Sequence, residues 1–455
     1  MKNGKRSSFS GKLGYVLAAA GASVGLGNIW RFPYLAAKYG GGIFLIIYIV
    51  LALTFGYTMI DAETAIGRMT RKSPVGAFKS FGKKKWLSFG GWINAVIPVL
   101  IVPYYSVIGG WVIKYLVEYF RGNAKLLAED GYFTDFISNG VSTELCFVAF
   151  CAFTLIIIFA GVQNGIERVS KIMMPILIVL SVIIAVYSVT RPGALAGVKY
   201  FLVPNVKNFS WMTVVSAMGQ MFYSLSIAMG ILITFGSYMK KDTAIEDSTR
   251  NVEIFDTGIA IMAGLMIIPA VFAFSGGDPD TLQAGPSLMF ITIPKVFQNM
   301  GFGTVIGIVF FLLVLFAAVT SSIALTESAV STFEDELGWG RKKATVLVGV
   351  IMLALGSLSS LGYGPLAGIK IIGMQFLDLF DFLTNSVMMP IAALLTSLLV
   401  SRVVGIDKIE EEIIHGESAF RRKKVFVVMI KYLCPVFAII ILLSSVANAL
   451  GWIKM

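Results

Sequence analysis

An apolar helix near the start of the chain is interrupted by glycines and an amide. The stretch "AAAGASVGLGNIWRFPY", residues 18–34, brings Gly21, Gly25, Gly27 and Asn28 together within two helical turns. A helix that breaks there exposes main-chain carbonyls, which attract cations, and main-chain amides, which attract an anion such as a carboxylate. At membrane depth, such backbone is tolerated only where it lines a cavity or holds a ligand. Gly21 and Gly25 also form a small-xxx-small pair, which is common where two membrane helices pack closely.

A second interruption lies at "GQMFYSLSIAMGILITFGSY", residues 219–238. Polar and flexible residues again fall in the middle of an apolar segment: Gln220, Tyr223, Ser224, Ser226 and Gly230. We expect a second broken helix here, which would face the first at a shared binding site.

Three consecutive hydroxyl residues, Thr320, Ser321 and Ser322, lie within a third apolar segment. Hydroxyls in membrane helices commonly bond the carbonyl of the preceding turn, and that role remains open for each of them. Together with carbonyls of a broken helix, they would also supply the hard oxygen ligands that a small alkali cation requires.

The elements that must position these residues are membrane-spanning helices. The chain has 455 residues, of which 57% are hydrophobic and 14% are charged, and its mean hydropathy is +0.82. Apolar runs of about 20 residues, long enough to cross a bilayer, recur along the chain, and the alternation typical of a β-barrel is missing. We therefore predict an all-α integral membrane protein. It has about eleven spans: 13–37, 42–69, 88–120, 143–160, 166–189, 211–238, 246–275, 302–334, 344–361, 368–402 and 425–450.

The spans divide into two halves of five. The two interrupted helices are the first of each half, and an odd number of spans per half gives the halves opposite orientations, as in inverted-repeat transporters. We predict one transporter domain over 1–455, with repeats at 13–189 and 211–402 and an extra eleventh helix at 425–450. No convincing sequence identity links the halves, so the repeat is inferred from layout.

Basic residues cluster in alternate connections, which is the positive-inside pattern. This pattern, rather than nucleic-acid binding, accounts for the net charge of +11. It predicts a multi-pass plasma-membrane protein with a cytoplasmic N-terminus and an extracellular C-terminus. The connections near 121–142 and 190–210 are expected to be external loops. The bilayer and a small molecule are the expected partners, and a monomer is expected to suffice.

Several functions are disfavoured. His415 is the only histidine, and Cys146, Cys151 and Cys434 lie at or inside apolar runs without metal-ligand spacing, so a histidine-based or cysteine-based metal site is not expected. No paired acids or nucleophile motif lies in the spans, so we expect no enzyme and no organic cofactor. A ligand-gated channel and a sodium-dependent amino-acid sensor with the same binding site remain alternatives.

Several motifs together resemble the neurotransmitter:sodium symporter family, specifically its bacterial amino-acid transporters. They cover nearly the whole chain: "GASVGLGNIWRFPY", "YGGGIF", "IGRM", "PYYSVIGGW", "SLSIAMG", "AVTSSIAL" and "FEDEL". The resemblance implies sodium symport by alternating access, with two sodium sites. The first would use Ser23, Asn28, Ser224, Asp256 and the substrate carboxylate. The second would use Gly21, Val24, Ala317, Thr320 and Ser321.

The resemblance also bears on chloride. Asp256 occupies a position that is often Asn in relatives, and Ala260 replaces a Glu found in some chloride-independent members. A carboxylate at the first sodium site would supply the negative charge that chloride supplies elsewhere, so we expect chloride independence. Alternatively, Asp256 is a solvated charge at a cytoplasmic helix end, because other acids precede it.

The resemblance further indicates the substrate. Gly25 lies where monoamine-carrying relatives have an Asp, which points to a substrate that brings its own carboxylate, an α-amino acid. The uncharged pocket favours a hydrophobic L-amino acid, with aromatic side chains ahead of Leu or Ile. The implied substrate-binding residues are Ala22, Ser23, Leu26, Gly27, Ile101, Tyr105, Tyr223, Ser224, Ser226, Met229, Ser321 and Leu325.

The resemblance also implies two gates and a hinge. Arg31 and Asp381 match an outer ionic gate, above a lid formed by Tyr105 and Tyr223. Arg6 and Asp335 match an inner ion pair, with Phe9 as an aromatic plug and Tyr238 and Glu327 as its supporting network. Gly165 and Pro175 match a pattern that accompanies unwinding of the fifth helix, although they also fit a simple kink or a helix start.

Overall fold

The computed structural model describes residues 7–276, 285–417, 419–449 and 451–452. Within them, nine helices are long and apolar enough to cross a bilayer, and one bent pair of helices adds a tenth span. A second helix pair, at residues 211–238, completes the eleven predicted spans. Short π-helical turns interrupt several spans without breaking them.

We number these spans α1 to α11 and leave shorter helices unnumbered. The broken span α1 comprises Lys12–Ser23 and Gly27–Lys38, and the broken span α6 comprises Trp211–Ser224 and Ile231–Tyr238. The continuous spans are α2 Gly42–Thr70, α3 Lys85–Phe120, α4 Gly140–Phe159, α5 Val162–Val189, α7 Ile245–Ser275, α8 Gly303–Leu337, α9 Arg341–Leu361, α10 Phe376–Val404 and α11 Lys423–Ala449.

The two broken spans differ in how the chain leaves the helix. The halves of α1 meet at a 52° bend, and Val24 there is extended, with φ −74° and ψ 97°. In α6 the break covers residues 225–230 and uses left-handed backbone at Ser226, Ala228 and Gly230, with φ of 53°, 59° and 69°. Left-handed backbone is costly for residues other than glycine, so tertiary contacts must hold the α6 break.

The connections contain more structure than the sequence predicted. Residues 121–142 and 190–210 were expected to be plain loops, but they carry the short helices Ala124–Leu127, Tyr132–Ser138 and Ala194–Leu202. An apolar helix, Leu288–Gln298, lies between α7 and α8, where no element was expected. The tenth span begins at Phe376 rather than near residue 368.

The broken spans lie inside the bundle. The first half of α1 packs against α5, α7 and α8, and α8 packs extensively against α3. Large apolar side chains such as Leu145, Ile156, Val179 and Val186 are instead exposed on α4 and α5, where lipid would cover them. The polar breaks are thus shielded from lipid by the surrounding spans.

Candidate functional site

A small central cavity lies between the breaks of α1 and α6, with walls from α3 and α8. Its free volume is about 30 Å³. It brings together all twelve residues predicted to bind substrate, with Gly25 and Asn28 in addition. No charged side chain lines this cavity within the part of the chain that the structure describes.

The glycines of α1 allow the close approach of side chains from three other spans. A Cβ atom on Gly25 would lie 2.6 Å from the Ser321 hydroxyl oxygen, and one on Gly27 would lie 2.6 Å from the Tyr223 ring. The Leu26 amide donates to the Tyr105 hydroxyl oxygen at 3.3 Å. A main-chain amide and a phenol hydroxyl therefore meet at the start of the second half of α1, where the helix dipole favours an anion.

Asp256 of α7 is buried behind two residues that line the cavity, Asn28 and Ser224, and is surrounded by neutral donors. Its carboxylate accepts from Ser224 (2.9 and 3.1 Å), from the Asn28 side-chain amide (2.8 Å) and from Tyr48 (3.0 Å). Its burial argues against the alternative of a solvated charge at a helix end. Among the described residues no cationic side chain forms a salt bridge with Asp256, so a bound cation would be its natural counter-charge.

The orientation of Asn28 bears on how that cation would bind. Its Oδ1 atom accepts from the Gly25 amide at 3.1 Å, while its Nδ2 atom donates to Ser224 and Asp256. A sodium ion between Asp256 and Asn28 would require a half-turn of this side-chain amide, so that Oδ1 faces the ion.

A second cluster of oxygen atoms lies on the other side of the α1 break. The Ser321 hydroxyl is within 3.1–3.3 Å of the carbonyl oxygens of Gly21, Ala22 and Val24. One hydroxyl carries one proton and cannot satisfy three acceptors, so carbonyl oxygens are left over, which suits a cation. Thr320 bonds the carbonyls of Phe316 and Ala317 in its own helix, at 3.0 and 3.2 Å. A Cβ atom on Gly21 would lie 3.1 Å from the Thr320 Cβ, which shows how close the two helices are.

The predicted outer gate residues flank a second cavity above the first. Arg31 and Asp381 both line this cavity, together with Tyr223, but within the described residues they form no direct ion pair. The Arg31 guanidinium lies 5.3 Å from the centre of the Tyr223 ring, and Asp381 accepts from Tyr104 and Asn385 at 3.2 and 2.5 Å.

Phe9, the predicted aromatic plug, is buried on the opposite side of the protein. Phe9 is 1% exposed, its ring contacts those of Tyr15, Phe235 and Tyr238, and its amide donates to the Tyr238 carbonyl at 3.1 Å. Arg6 lies outside the described residues, so the predicted pair with Asp335 is not described. Asp335 accepts from the Ser73 amide at 2.7 Å.

The predicted supporting network forms around Glu327. Tyr238 donates to its Oε1 atom at 2.7 Å. Arg341, which its sequence context does not single out for this role, donates to both carboxylate oxygens at 3.0 and 2.6 Å. Glu327 is fully buried, so this arginine neutralises a charge that burial would otherwise strongly disfavour.

The predicted hinge in α5 is fully wound. Gly165 lies in the π-helical stretch Val162–Glu167, and a Cβ atom there would lie 2.1 Å from the Ile157 carbonyl oxygen. Pro175 lies within the continuous helix Arg168–Val189. Unwinding at these residues stays a prediction.

Three further residues of the site were not given a role from sequence. Tyr48 donates to Asp256, Gln220 donates to the Gly27 carbonyl at 2.9 Å, and Glu63 accepts from the Ala228 amide at 2.8 Å. Glu63 thereby holds the left-handed turn of α6. An acid in the middle of an apolar span was the available signal for it.

Known proteins are similar to this chain along most of its length. The Sodium:neurotransmitter symporter family matches residues 6–130 and 131–452. The sodium-dependent transporter YhdH of Bacillus subtilis is 34% identical over 450 residues, covering 98% of this chain and 99% of that protein. The sodium- and chloride-dependent GABA transporter 2 of Macaca fascicularis is 26% identical, covering 90% of this chain and 74% of that one.

A solved structure is similar along the whole fold. The crystal structure of MhsT in complex with L-phenylalanine matches with a TM-score of 0.87 and 34% identity, covering 97% of this chain and all of that one. The chain is thus a multi-pass membrane protein and a secondary transporter rather than an enzyme, and it belongs to the Sodium:neurotransmitter symporter family.

Proposed function

We propose that this protein uses two sodium ions to drive uptake of a neutral hydrophobic L-amino acid, with aromatic substrates preferred. The observation that carries the proposal is the central cavity. Main-chain groups of two broken helices converge there, with a cluster of oxygen atoms on either side of the α1 break. The L-phenylalanine bound to MhsT supports this substrate class.

The substrate would bind through its zwitterionic end. Its carboxylate would meet the amides near Leu26 and Gly27, the Tyr105 hydroxyl and the first sodium ion, and its ammonium would meet carbonyls near Ala22. Its side chain would lie among apolar and aromatic side chains, including Ile101, Met229 and Leu325. An apolar wall without a charged partner disfavours lysine or glutamate, because such a side chain would lose its hydration uncompensated.

Each sodium ion would have its own ligands. The first would bind Asp256, Asn28, Ser224, the Ser23 carbonyl and the substrate carboxylate. The second would bind the carbonyls of Gly21, Val24 and Ala317 and the hydroxyls of Thr320 and Ser321. Because Asp256 already supplies a negative charge beside the first ion, transport would not depend on chloride.

Two sodium ions supply enough free energy for strong accumulation. A charge that crosses about 100 mV releases about 2.3 kcal/mol, and a tenfold gradient adds about 1.4 kcal/mol. Two ions thus provide roughly 7 kcal/mol, enough for about a 10⁵-fold accumulation of a zwitterion.

The alternating basic connections support a cytoplasmic N-terminus. With that orientation, the Phe9 side of the protein would face the cytoplasm.

Uptake into proteoliposomes tests the proposal. We expect a sodium gradient to drive accumulation of tryptophan, phenylalanine and leucine above lysine and glutamate, and we expect replacement of chloride by gluconate to change nothing. Faster uptake of lysine or glutamate would refute the substrate class. Loss of uptake in gluconate would refute chloride independence. Sodium-dependent binding without uptake would indicate a sensor.

A further inference from the structure

One buried acid outside the sites described above forms no ion pair with any residue that the structure describes. Asp61, in α2, is 0% exposed, and neither of its carboxylate oxygens has a hydrogen-bond partner among the described residues. It lies two residues before Glu63, but Glu63 reaches the α6 break while Asp61 faces α7.

The surroundings of Asp61 offer other acids and neutral groups. The groups that face it are Tyr57 of its own helix, Thr249 and Glu246 of α7, and Glu417 of the connection before α11. The Tyr57 hydroxyl donates to Glu246 at 2.9 Å, and Glu246 also accepts from the amides of residues 421 and 422. Tyr15 of α1 lies nearby, and its hydroxyl is bonded to Thr64 at 2.9 Å.

The nearby cations are engaged elsewhere. Arg68 donates to Glu412 at 2.6 Å and to the Thr243 carbonyl at 2.5 Å. The Arg422 guanidinium lies 4.5 Å from the centre of the Tyr57 ring and pairs with Glu253 at 3.3 Å. Outside the spans, burial raises the pKa of Glu417 in the same region.

An ionised carboxylate in a buried site with acids and neutral hydroxyls around it, and no cation beside it, is strongly disfavoured, so the neutral acid is the form that fits. We infer that Asp61 binds one proton while the Phe9 side of the protein is closed and releases it to water when that side opens. This inference goes beyond the proposed function, on which its inward direction rests.

The position of Asp61 connects this proton to the ion site. Glu246, Thr249, Glu253 and Asp256 are spaced by three, four and three residues along α7 and therefore share one face. This face runs from the surroundings of Asp61 to Asp256. Movement of α7 against α2 on opening would hydrate the same polar face, so an acidic cytoplasm would favour the closed form and slow substrate release.

The first test measures unfolding in mixed detergent micelles across pH and needs no transport. It compares the wild type with the neutral variants D61N and D61L, and with D407N, in which the changed acid is exposed. An unfolded Asp loses its proton above about pH 3.9, while folded Asp61 keeps it. The wild-type unfolding constant, relative to that of D61N, should therefore rise about tenfold per pH unit until folded Asp61 ionises.

Three results of the unfolding test would contradict the inference. A wild-type unfolding constant whose ratio to that of D61N does not change with pH would overturn the inference. An equally large rise of the wild type relative to D407N, which retains Asp61, would also overturn it, because the pH dependence would then not be specific to Asp61. Because the site prefers a neutral side chain, failure of both D61N and D61L to fold would also contradict it.

The second test measures sodium-dependent amino-acid exchange at equal pH on both sides of the membrane. Acidification by one pH unit should slow the wild type by up to about tenfold relative to D61N, and D407N should follow the wild type. Equal pH dependence in D61N would refute the link to opening. If no exchange occurs while the unfolding ratio still changes with pH, the proposed function fails and the proton site stands.

Discussion

Replacement of Asp256 by Asn removes the only full negative charge that the described residues bring to the first proposed sodium site. The carboxylate accepts from Ser224, Asn28 and Tyr48, all neutral, and is 0% exposed. A unit charge pair about 4 Å apart is worth about 4 kcal/mol at an effective dielectric constant of about 20. Asn keeps the size of the side chain and one oxygen ligand, so we expect sodium binding to lose about 3 kcal/mol of free energy. This loss corresponds to more than a 100-fold rise in the sodium dissociation constant.

Sodium-dependent binding of radiolabelled amino acid to purified protein measures this change. The matched control is E253Q, which removes a buried acid one turn earlier on α7 that pairs with Arg422 rather than with Asn28 and Ser224. Its sodium affinity should stay within about threefold of the wild type, and thermal unfolding should show that both variants are folded. A D256N protein with wild-type sodium affinity would refute the assignment of Asp256 as a sodium ligand.

Three further predictions follow from individual contacts. Chloride should stimulate sodium-dependent amino-acid binding in D256N but not in the wild type. If chloride affects neither protein, the Asp256 carboxylate does not take the place of a chloride ion. G27A places a Cβ atom 2.6 Å from the Tyr223 ring, whereas G219A meets nothing within 4 Å. Amino-acid uptake should therefore fall at least about tenfold in G27A but not in G219A. Equal uptake by the two variants would be evidence against the lid that includes Tyr223. R68A leaves the buried Glu412 without its partner and should destabilise the fold by about 3–5 kcal/mol in detergent unfolding, unlike the exposed K342A.

The break in α1 could be predicted because its cause is local. Gly25 and Gly27 weaken the helix wherever the rest of the chain lies, and the structure interrupts α1 at residues 24–26. The break in α6 was predicted from its polar residues, but its left-handed turns at Ser226 and Ala228 were not, because they depend on contacts such as that of Glu63 from α2.

The short helix Ala194–Leu202 shows a second limit of prediction. It buries Ala194, Gly197 and Phe201 on one face, a pattern that covers only about two turns and is easily lost among the polar residues around it. Tyr48 shows a third limit, since a tyrosine in an apolar span has no evident role until Asp256 is seen beside it.

The proposed transport depends most on a sodium ion that is shared between the protein and the substrate carboxylate. Equilibrium binding of phenylalanine and of phenethylamine, which lacks the carboxylate, measures this directly in sodium and in potassium. We predict that phenylalanine binds only in sodium and that the amine binds in neither. Equal binding of the amine, or binding of phenylalanine in potassium, would contradict a sodium ion shared with the substrate carboxylate.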